Sequence, residues 1–173
     1  VDAAEAALGP VDILVNNAGM NQSARAVDTT PELFDQILGT NLRGAFFMAT
    51  EVARRLIARK APGRIINIAS IGAFRVLTGM PLYCMSKGGL QMMTKALAFE
   101  WARQDITVNA ICPGFIETEL TADWFKTEKG QQQVSRFVRR RLEADIDLDG
   151  ILLLLASEIS RGITGSVIAA DDG

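Results

Sequence analysis

The feature that most constrains the fold is the alternation of four short apolar runs with longer segments of helical periodicity. The runs are rich in Ile and Val and read "VDILVNN" (11–17), "GRIINIAS" (63–70), "DITVNAICPG" (105–114) and "GSVIAADDG" (165–173). Runs of this length predict buried strands, and helices between successive strands serve as crossover connections. The sequence therefore predicts an α/β fold in which helices cover both faces of a parallel sheet.

The first long helix is predicted over residues 31–60. Thr30 suits the N-cap of this helix and Pro31 suits its first position. Its predicted buried stripe consists of Phe34, Leu38, Ala45, Ala49, Val52 and Leu56. Asn41 falls within that stripe, where an unsatisfied amide would cost about 1–3 kcal/mol per polar group. Two interpretations remain open: the amide of Asn41 fixes the helix to a neighbouring backbone, or it serves a site.

The second long helix is predicted over residues 82–103 and the final one over 148–157. Leu90, Met93, Leu97 and Trp101 recur at helical spacing in the second helix and predict core or interface positions. The less regular stretch 115–147 separates the third strand from the final helix, and long connections of this kind often cover sites. Within it, "RFVRRR" (136–141) is interpreted as the solvated side of a helix.

Composition and charge exclude several classes of function. The 18 basic and 20 acidic residues are scattered, so no basic field would attract nucleic acid or a membrane surface. With no histidine, and with Cys84 and Cys112 outside any metal-ligand pattern, a zinc site or a Ser-His-Asp triad is disfavoured. The sequence shows neither a membrane span nor a signal peptide, so we expect a cytoplasmic protein without a metal.

Small or polar residues follow three of the predicted strands. They are "NNAG" (16–19), "SIG" (70–72) and "PGFIET" (113–118). Ligands of open parallel sheets bind outside the carboxyl ends of the strands, and Gly19 and Gly114 would let a flat ligand approach the backbone. These three segments therefore predict one binding site.

The only tyrosine, Tyr83, lies four residues before Lys87 in "MPLYCMSKGGL" (80–90). Positions i and i+4 share a helix face, so the two side chains can contact each other or a common ligand. A phenol with its usual pKa of about 10 is a poor base at neutral pH, but an adjacent ammonium favours the phenolate. The pair is a chemically sensible acid/base centre, although a short motif of this kind also arises by chance.

Several motifs together resemble those of the classical short-chain dehydrogenases/reductases, in both order and spacing. They are "NNAG" after a strand, an Asn within "TNLRGAFF", Ser70 thirteen residues before Tyr83, "YCMSK", and "NAICPGFIET". The resemblance extends over essentially all of residues 1–173. It implies a Rossmann-like three-layer fold and an NAD(P)-dependent oxidoreductase that interconverts a secondary alcohol and a ketone.

The resemblance also implies a role for each matching residue. Tyr83 would exchange a proton with the substrate oxygen, and Lys87 would hold the nicotinamide ribose and lower the pKa of Tyr83. Ser70 would hydrogen-bond the substrate oxygen, and Asn41 would anchor a water in the proton relay. The cofactor, NAD or NADP, would contact Asn17, Ala18 and Gly19 on its adenosine side, and Pro113, Gly114, Ile116 and Thr118 at its nicotinamide end.

The glycine-rich turn with which the family opens is not found. Residues 1–10 resemble the last turns of a helix, and no GxGxxG occurs in the sequence. We therefore expect a single, N-terminally truncated NAD(P)-binding domain over residues 1–173, with about four strands of the usual seven. An unpaired edge of the strand "DILVNN" would favour pairing with a partner chain. The expectation is a fragment of a longer protein, or one completed by another chain.

Two functions remain in competition. The first is the oxidoreductase, acting on a small-molecule alcohol or ketone and forming a homodimer or homotetramer, as the resemblance implies. The second is an inactive dinucleotide-fold fragment that serves as an interaction or assembly module. The intact Ser70, Tyr83, Lys87 and Asn41 favour the first, and the missing phosphate-binding turn favours the second.

Overall fold

Four parallel strands form one sheet in the computed structural model, which describes residues 1–117 and 121–173. The strands are β1 (Ile13–Asn16), β2 (Gly63–Ile68), β3 (Ile106–Pro113) and β4 (Val167–Ala170), and their spatial order is the same as their order in the chain. All three pairings are parallel. The predicted α/β class and its Rossmann-like parallel sheet are therefore confirmed.

Seven α-helices occur in the described part of the chain. They are α1 (Asp2–Leu8), α2 (Pro31–Leu38), α3 (Ala45–Arg59), α4 (Pro81–Trp101), α5 (Ala122–Phe125), α6 (Glu128–Val134) and α7 (Asp149–Ala156). The helices α3 and α4 pack on one face of the sheet in a core that includes Leu56, Leu90 and Val108. Helix α7 covers the other face through Leu155, which packs against Ile66 and Ile111. The fold thus has three layers.

The first long helix is not continuous. A π-helical turn, Gly39–Gly44, separates α2 from α3, and Lys60 ends α3 in the left-handed conformation. The prediction of a buried Phe34 is wrong, because Phe34 is 37% exposed and Ile37 is fully buried instead. The wider π turn bonds each N–H to a carbonyl five residues back. It therefore shifts the buried face, which α3 then continues with Ala45, Ala49, Val52 and Leu56 as predicted.

Helix α4 matches its prediction closely. Pro81 occupies its first turn, and Leu90, Met93, Leu97 and Trp101 are all buried. A ladder of buried polar groups ties this helix to the sheet. The Asn16 amide donates to Asn67 Oδ1 at 2.9 Å, and the Asn67 amide donates to Thr94 Oγ1 at 2.9 Å. These bonds satisfy polar groups that would be costly to bury alone.

The segment "RFVRRR" (136–141) is not helical. It follows α6 as a series of turns in which Arg140 adopts a positive φ of 52°. This run packs against the segment that follows β3: the ring of Phe137 stacks on that of Phe115 with a centroid distance of 5.2 Å. Arg139 is nevertheless solvated and donates to Asp172 at 2.7 Å. The interpretation of this run as one side of a helix is therefore wrong, and its exposure is confirmed for Arg136, Arg139 and Arg140.

The exposed apolar residues of β1 lie at the edge of the sheet. Ile13 is 47% exposed and Val15 is 39% exposed, whereas Leu14 packs towards the core. β1 pairs with β2 only, within the residues that the structure describes. None of the helices in these residues combines the length and apolar character that a bilayer crossing requires.

Candidate active site

The carboxyl ends of β1, β2 and β3 open into one cleft of about 1110 Å³. Its lining includes eight of the residues predicted for the site: Asn17, Gly19, Ser70, Tyr83, Lys87, Pro113, Gly114 and Ile116. Parallel strands place their carboxyl ends at one edge of a sheet, so residues far apart in sequence meet there. The three segments thus form the single site that was predicted.

Lys87 lies at the base of this cleft and is 4% exposed. Its Nζ donates to the carbonyl oxygen of Ile68 at 2.7 Å and lies 5.7 Å from the centroid of the Tyr83 ring. Burial lowers the pKa of Lys87 from 10.5 to about 8, because the charged form loses hydration. Ile68 is the last residue of β2, so its hydrogen bond fixes the ammonium group of Lys87 at the carboxyl end of this strand.

Tyr83 lies one helical turn before Lys87 on α4. Burial raises the pKa of Tyr83, and interaction with the Ser70 side chain lowers it by less. The expectation was that Lys87 would lower this pKa, but Lys87 is not among the groups that shift it, and desolvation of the phenolate has the largest effect. Burial therefore favours the protonated phenol, which has a proton to donate.

Ser70 caps the short 3₁₀ turn Ile71–Ala73 that follows β2. Its Oγ accepts a hydrogen bond from Gly72 N at 3.0 Å, and the residue is 7% exposed. The hydroxyl proton is not used in that bond, so it is free to donate towards the cleft. The 3₁₀ turn therefore holds the serine oxygen in place beside Tyr83.

Asn41 lies in the π-helical turn, and all its amide groups have partners. Its Oδ1 accepts from Met20 N at 2.8 Å, and its Nδ2 donates to Met20 O at 2.9 Å and to Ser86 Oγ at 3.0 Å. Ser86 Oγ in turn donates to Tyr83 O at 2.8 Å. The first of the two interpretations of Asn41 is therefore observed: it fixes the helix to the backbone after β1. π turns are common at functional sites, so the second interpretation stays a prediction.

The remaining cofactor candidates fall into two groups around the cleft. Asn17 and Gly19 line its β1 side, whereas Ala18 is exposed beside them. A Cβ on Gly19 would lie 3.4 Å from Lys87 Nζ, so only a glycine leaves this space open beside the lysine. Thr118 lies outside the described residues.

Glu143 is a buried group that the sequence analysis missed. It is 4% exposed, its Oε2 accepts from Gly114 N at 3.3 Å, and its backbone bonds to Phe115 and Glu117. Burial raises the pKa of its carboxyl. Glu143 thus anchors the segment that follows β3. Nothing in the sequence singled out this glutamate, and its contact with Gly114 required the tertiary structure.

Two further observations concern the cysteines and metals. Cys84 accepts a hydrogen bond from Leu77 N through its sulfur at 3.3 Å. Burial raises the pKa of Cys112, which disfavours a reactive thiolate at that position. Among residues 1–117 and 121–173, no group of three or more metal-ligating side chains was found.

Comparison with known proteins identifies relatives along the whole chain. A family model described as enoyl-(acyl carrier protein) reductase matches residues 1–173. The 2-dehydro-3-deoxy-D-gluconate 5-dehydrogenase of Dickeya dadantii is 37% identical over 177 residues, which cover 100% of this chain and 69% of that protein. The acetoacetyl-CoA reductase of Rhizobium meliloti is 40% identical over 169 residues, or 98% of this chain and 70% of that one.

Solved structures are similar as well. A gluconate 5-dehydrogenase from Burkholderia cenocepacia, in complex with NADP and tartrate, superposes with a TM-score of 0.94 at 34% identity. The match covers 99% of this chain and 68% of that one. The chain therefore belongs to the short-chain dehydrogenase/reductase family. Its relatives are dehydrogenases and reductases by name, which confirms the predicted family and enzyme class.

Proposed function

We propose that the protein is an NAD(P)-dependent oxidoreductase that interconverts a secondary alcohol and a ketone. The observation that carries this proposal is the buried Lys87 ammonium, held by Ile68 O beside Tyr83 and at the base of a cleft that Ser70 also lines. Burying a charged ammonium costs free energy unless the group has hydrogen-bond or charged partners. Perturbed titratable groups that converge in a cleft are typical of catalytic sites.

The residues present fit a dinucleotide. Gly19 leaves open space next to Lys87, and Ile68 O is the one hydrogen-bond acceptor that Lys87 Nζ has among the described residues. An ammonium has three N–H donors, so two remain for the hydroxyls of a ribose. Asn17, Ala18 and Gly19 would hold the adenosine side, and Pro113, Gly114, Ile116 and Thr118 the nicotinamide end. When bound, NAD(P) supplies or accepts the hydride. Solved relatives in complex with NADP or NADH support this cofactor.

Each side chain then has a defined task. In the reduction of a ketone, Tyr83 Oη donates its proton to the carbonyl oxygen, and its raised pKa keeps that proton available at neutral pH. Ser70 donates a hydrogen bond to the same oxygen and orients it. The Lys87 ammonium stabilises the phenolate that remains. Asn41 would hold a water that returns a proton through the second lone pair of its Oδ1, because Met20 and Ser86 occupy both N–H donors of its amide.

A turnover assay tests the proposal. The purified protein is mixed with NADH or NADPH and a panel of ketones, and the absorbance of the reduced nicotinamide is followed. We expect a ketone-dependent loss of that absorbance, and the reverse change with NAD(P) and the matching alcohol. If there is neither turnover nor cofactor binding, the proposal fails and the alternative of an assembly module stands.

The exposed side of α4 supports a homodimer or homotetramer. Met85, Met92 and Phe99 recur every seven residues and are 53%, 64% and 91% exposed. On the neighbouring helix α3, Phe46 and Phe47 are also exposed. Apolar stripes of this kind on soluble proteins mark interaction surfaces. A second copy of the chain would cover the stripe by pairing α4 with α4.

A charge placed in the middle of this stripe should break the oligomer. We expect Met92→Lys to shift the molecular mass measured by light scattering from a dimer or tetramer towards the monomer, because a desolvated lysine opposes association. Ile159→Lys, the same kind of change at an exposed apolar residue outside α3 and α4, is the control. An unchanged mass for Met92→Lys would show that α4 does not form the interface.

A further inference from the structure

The cleft carries basic side chains and, among the described residues that line it, no acidic ones. Lys87, Lys129 and Arg136 all line it, and the remaining walls are apolar or neutral and polar. This is a selective arrangement, because the whole chain has more acidic than basic residues, 20 against 18. A cleft with charge of one sign concentrates ligands of the other sign.

Two of these basic residues belong to the segment that covers the cleft. Lys129 lies on α6, and Arg136 lies in the turn two residues after the end of that helix. Gln133 lies between them in the chain and also lines the cleft. The segment follows β3, whereas Asn17–Gly19 follow β1, and β2 separates the two strands. The two cations therefore belong to a different side of the cleft from the one proposed for adenosine.

Neither of these two residues has an ion-pair partner among the described residues, in contrast to their neighbours. Lys126 pairs with Asp123 at 3.1 Å, and Arg139 pairs with Asp172 at 2.7 Å. Arg141 pairs with both Asp147 and Asp172. Of the neighbouring basic residues that do not line the cleft, Lys126, Arg139 and Arg141 are thus paired with local carboxylates. Arg140 is exposed and has no ion pair among the described residues. The two that face the cleft, Lys129 and Arg136, keep their charge for a ligand.

We infer that the substrate is an anion, namely a hydroxylated carboxylic acid whose carboxylate binds to Lys129 and Arg136. This inference rests on the proposed function and adds the substrate class to it. An Arg guanidinium suits a carboxylate because it presents two parallel N–H donors. Asn21, Ser23 and Gln133 also line the cleft and supply neutral donors and acceptors that suit hydroxyl groups. Tyr83 and Ser70 then face the carbon that is oxidised or reduced.

A phosphate of the cofactor is the other source of anionic charge, and binding measurements distinguish the two sources. The probes are tartrate, threitol as its uncharged analogue with the same four-carbon chain, and NADH or NADPH. Binding of each is measured by calorimetry to the wild type, to Lys129→Gln/Arg136→Gln, and to Lys126→Gln/Arg140→Gln. The last double variant removes the same charge from residues that do not line the cleft.

We expect the wild type to bind tartrate more tightly than threitol. Lys129→Gln/Arg136→Gln should weaken tartrate binding at least about tenfold, since each charge-assisted hydrogen bond contributes about 1.5–3 kcal/mol. The control double variant should change it less than about twofold, and neither variant should change NADH or NADPH binding more than about twofold. Unfolding in urea verifies that both variants are folded.

Several results would overturn the inference: equal binding of tartrate and threitol, tartrate binding unaffected by Lys129→Gln/Arg136→Gln, or equal weakening by both double variants. Weakened binding of NADH or NADPH with intact tartrate binding would assign the two cations to the cofactor phosphate and would also overturn it. The proposed function fails separately, if no ketone in the turnover panel is reduced. Tartrate binding still decides the anion site in that case.

Discussion

Replacing Tyr83 with Phe should lower kcat for ketone reduction about 10³-fold, because a positioned acid contributes about 10²–10⁴-fold to the rate. The substitution removes the proton donor and little else, since phenylalanine keeps the ring at this position of α4. The free energy of unfolding should change by less than about 1 kcal/mol, as the hydroxyl interacts with Ser70 alone among the described residues. The cofactor Kd should change by less than about twofold.

Initial-rate kinetics at saturating cofactor measure this effect. Tyr83 is the only tyrosine in the chain, so its titration can also be followed directly by the absorbance of tyrosinate in the wild type. We expect that titration above the usual phenol pKa of about 10, because burial raises the pKa of Tyr83. Phe74→Leu, an exposed aromatic outside the lining of the cleft, is the matched control for kinetics. More than about a tenth of the wild-type kcat in Tyr83→Phe would contradict the proposed role.

Replacing Lys87 with Met should abolish activity and make stability less dependent on pH. Activity should fall at least about 10²-fold, because both the ribose contact and the charge beside Tyr83 are lost. The pKa of Lys87 falls from 10.5 to about 8 on burial, so between these values the folded protein binds fewer protons than the unfolded one. Wild-type stability therefore rises with pH across this window, and below pH 8 the wild type carries the full cost of burying the charge.

Methionine has nearly the same shape as lysine and does not titrate. The stability of Lys87→Met minus that of the wild type should therefore be largest below pH 8 and should decrease by about 3 kcal/mol on passing to pH 10.5. Loss of the bond from Nζ to Ile68 O subtracts about 1 kcal/mol at every pH and leaves this slope unchanged.

Urea denaturation of both proteins at several pH values between 7 and 10.5 measures this difference. The contribution of Tyr83 cancels, because Lys87 is not among the groups that shift the pKa of Tyr83. Lys95→Met is the control, since Lys95 is exposed on the same helix and its replacement also removes one ammonium group. A flat difference for Lys87→Met would mean that burial does not perturb Lys87.

Residues that act locally were predicted well from the sequence. Thr30 caps α2 as expected, accepting from Leu33 N at 3.3 Å, and Pro31 begins that helix. The apolar spacing in α4 gave its buried face, because a regular helix carries a fixed period along its length. The position of the site also followed from the sequence, since parallel strands gather their carboxyl ends at one edge.

The buried face of the first helix and the surroundings of individual side chains were harder to predict from the sequence. The π turn that holds Asn41 moves the buried face from Phe34 to Ile37, and no residue type encodes such a turn. The conformation of "RFVRRR" depends on the stacking of Phe137 on Phe115, and these two residues are 22 positions apart. The pKa of Tyr83 depended on how much water its neighbours exclude. These are properties of packing between segments, which local patterns do not contain.

The sequence by itself determined the α/β class, the four strands, the family and the spacing of Tyr83 and Lys87, because periodicity and motif spacing are local in the chain. The tertiary structure alone decided which polar groups are buried and which charges stay unpaired. Glu143 meets Gly114, Asn41 meets Met20, and Lys129 and Arg136 face the cleft without a carboxylate among the described residues. Desolvation and pairing depend on neighbours distant in sequence, and the folded arrangement brings those neighbours together.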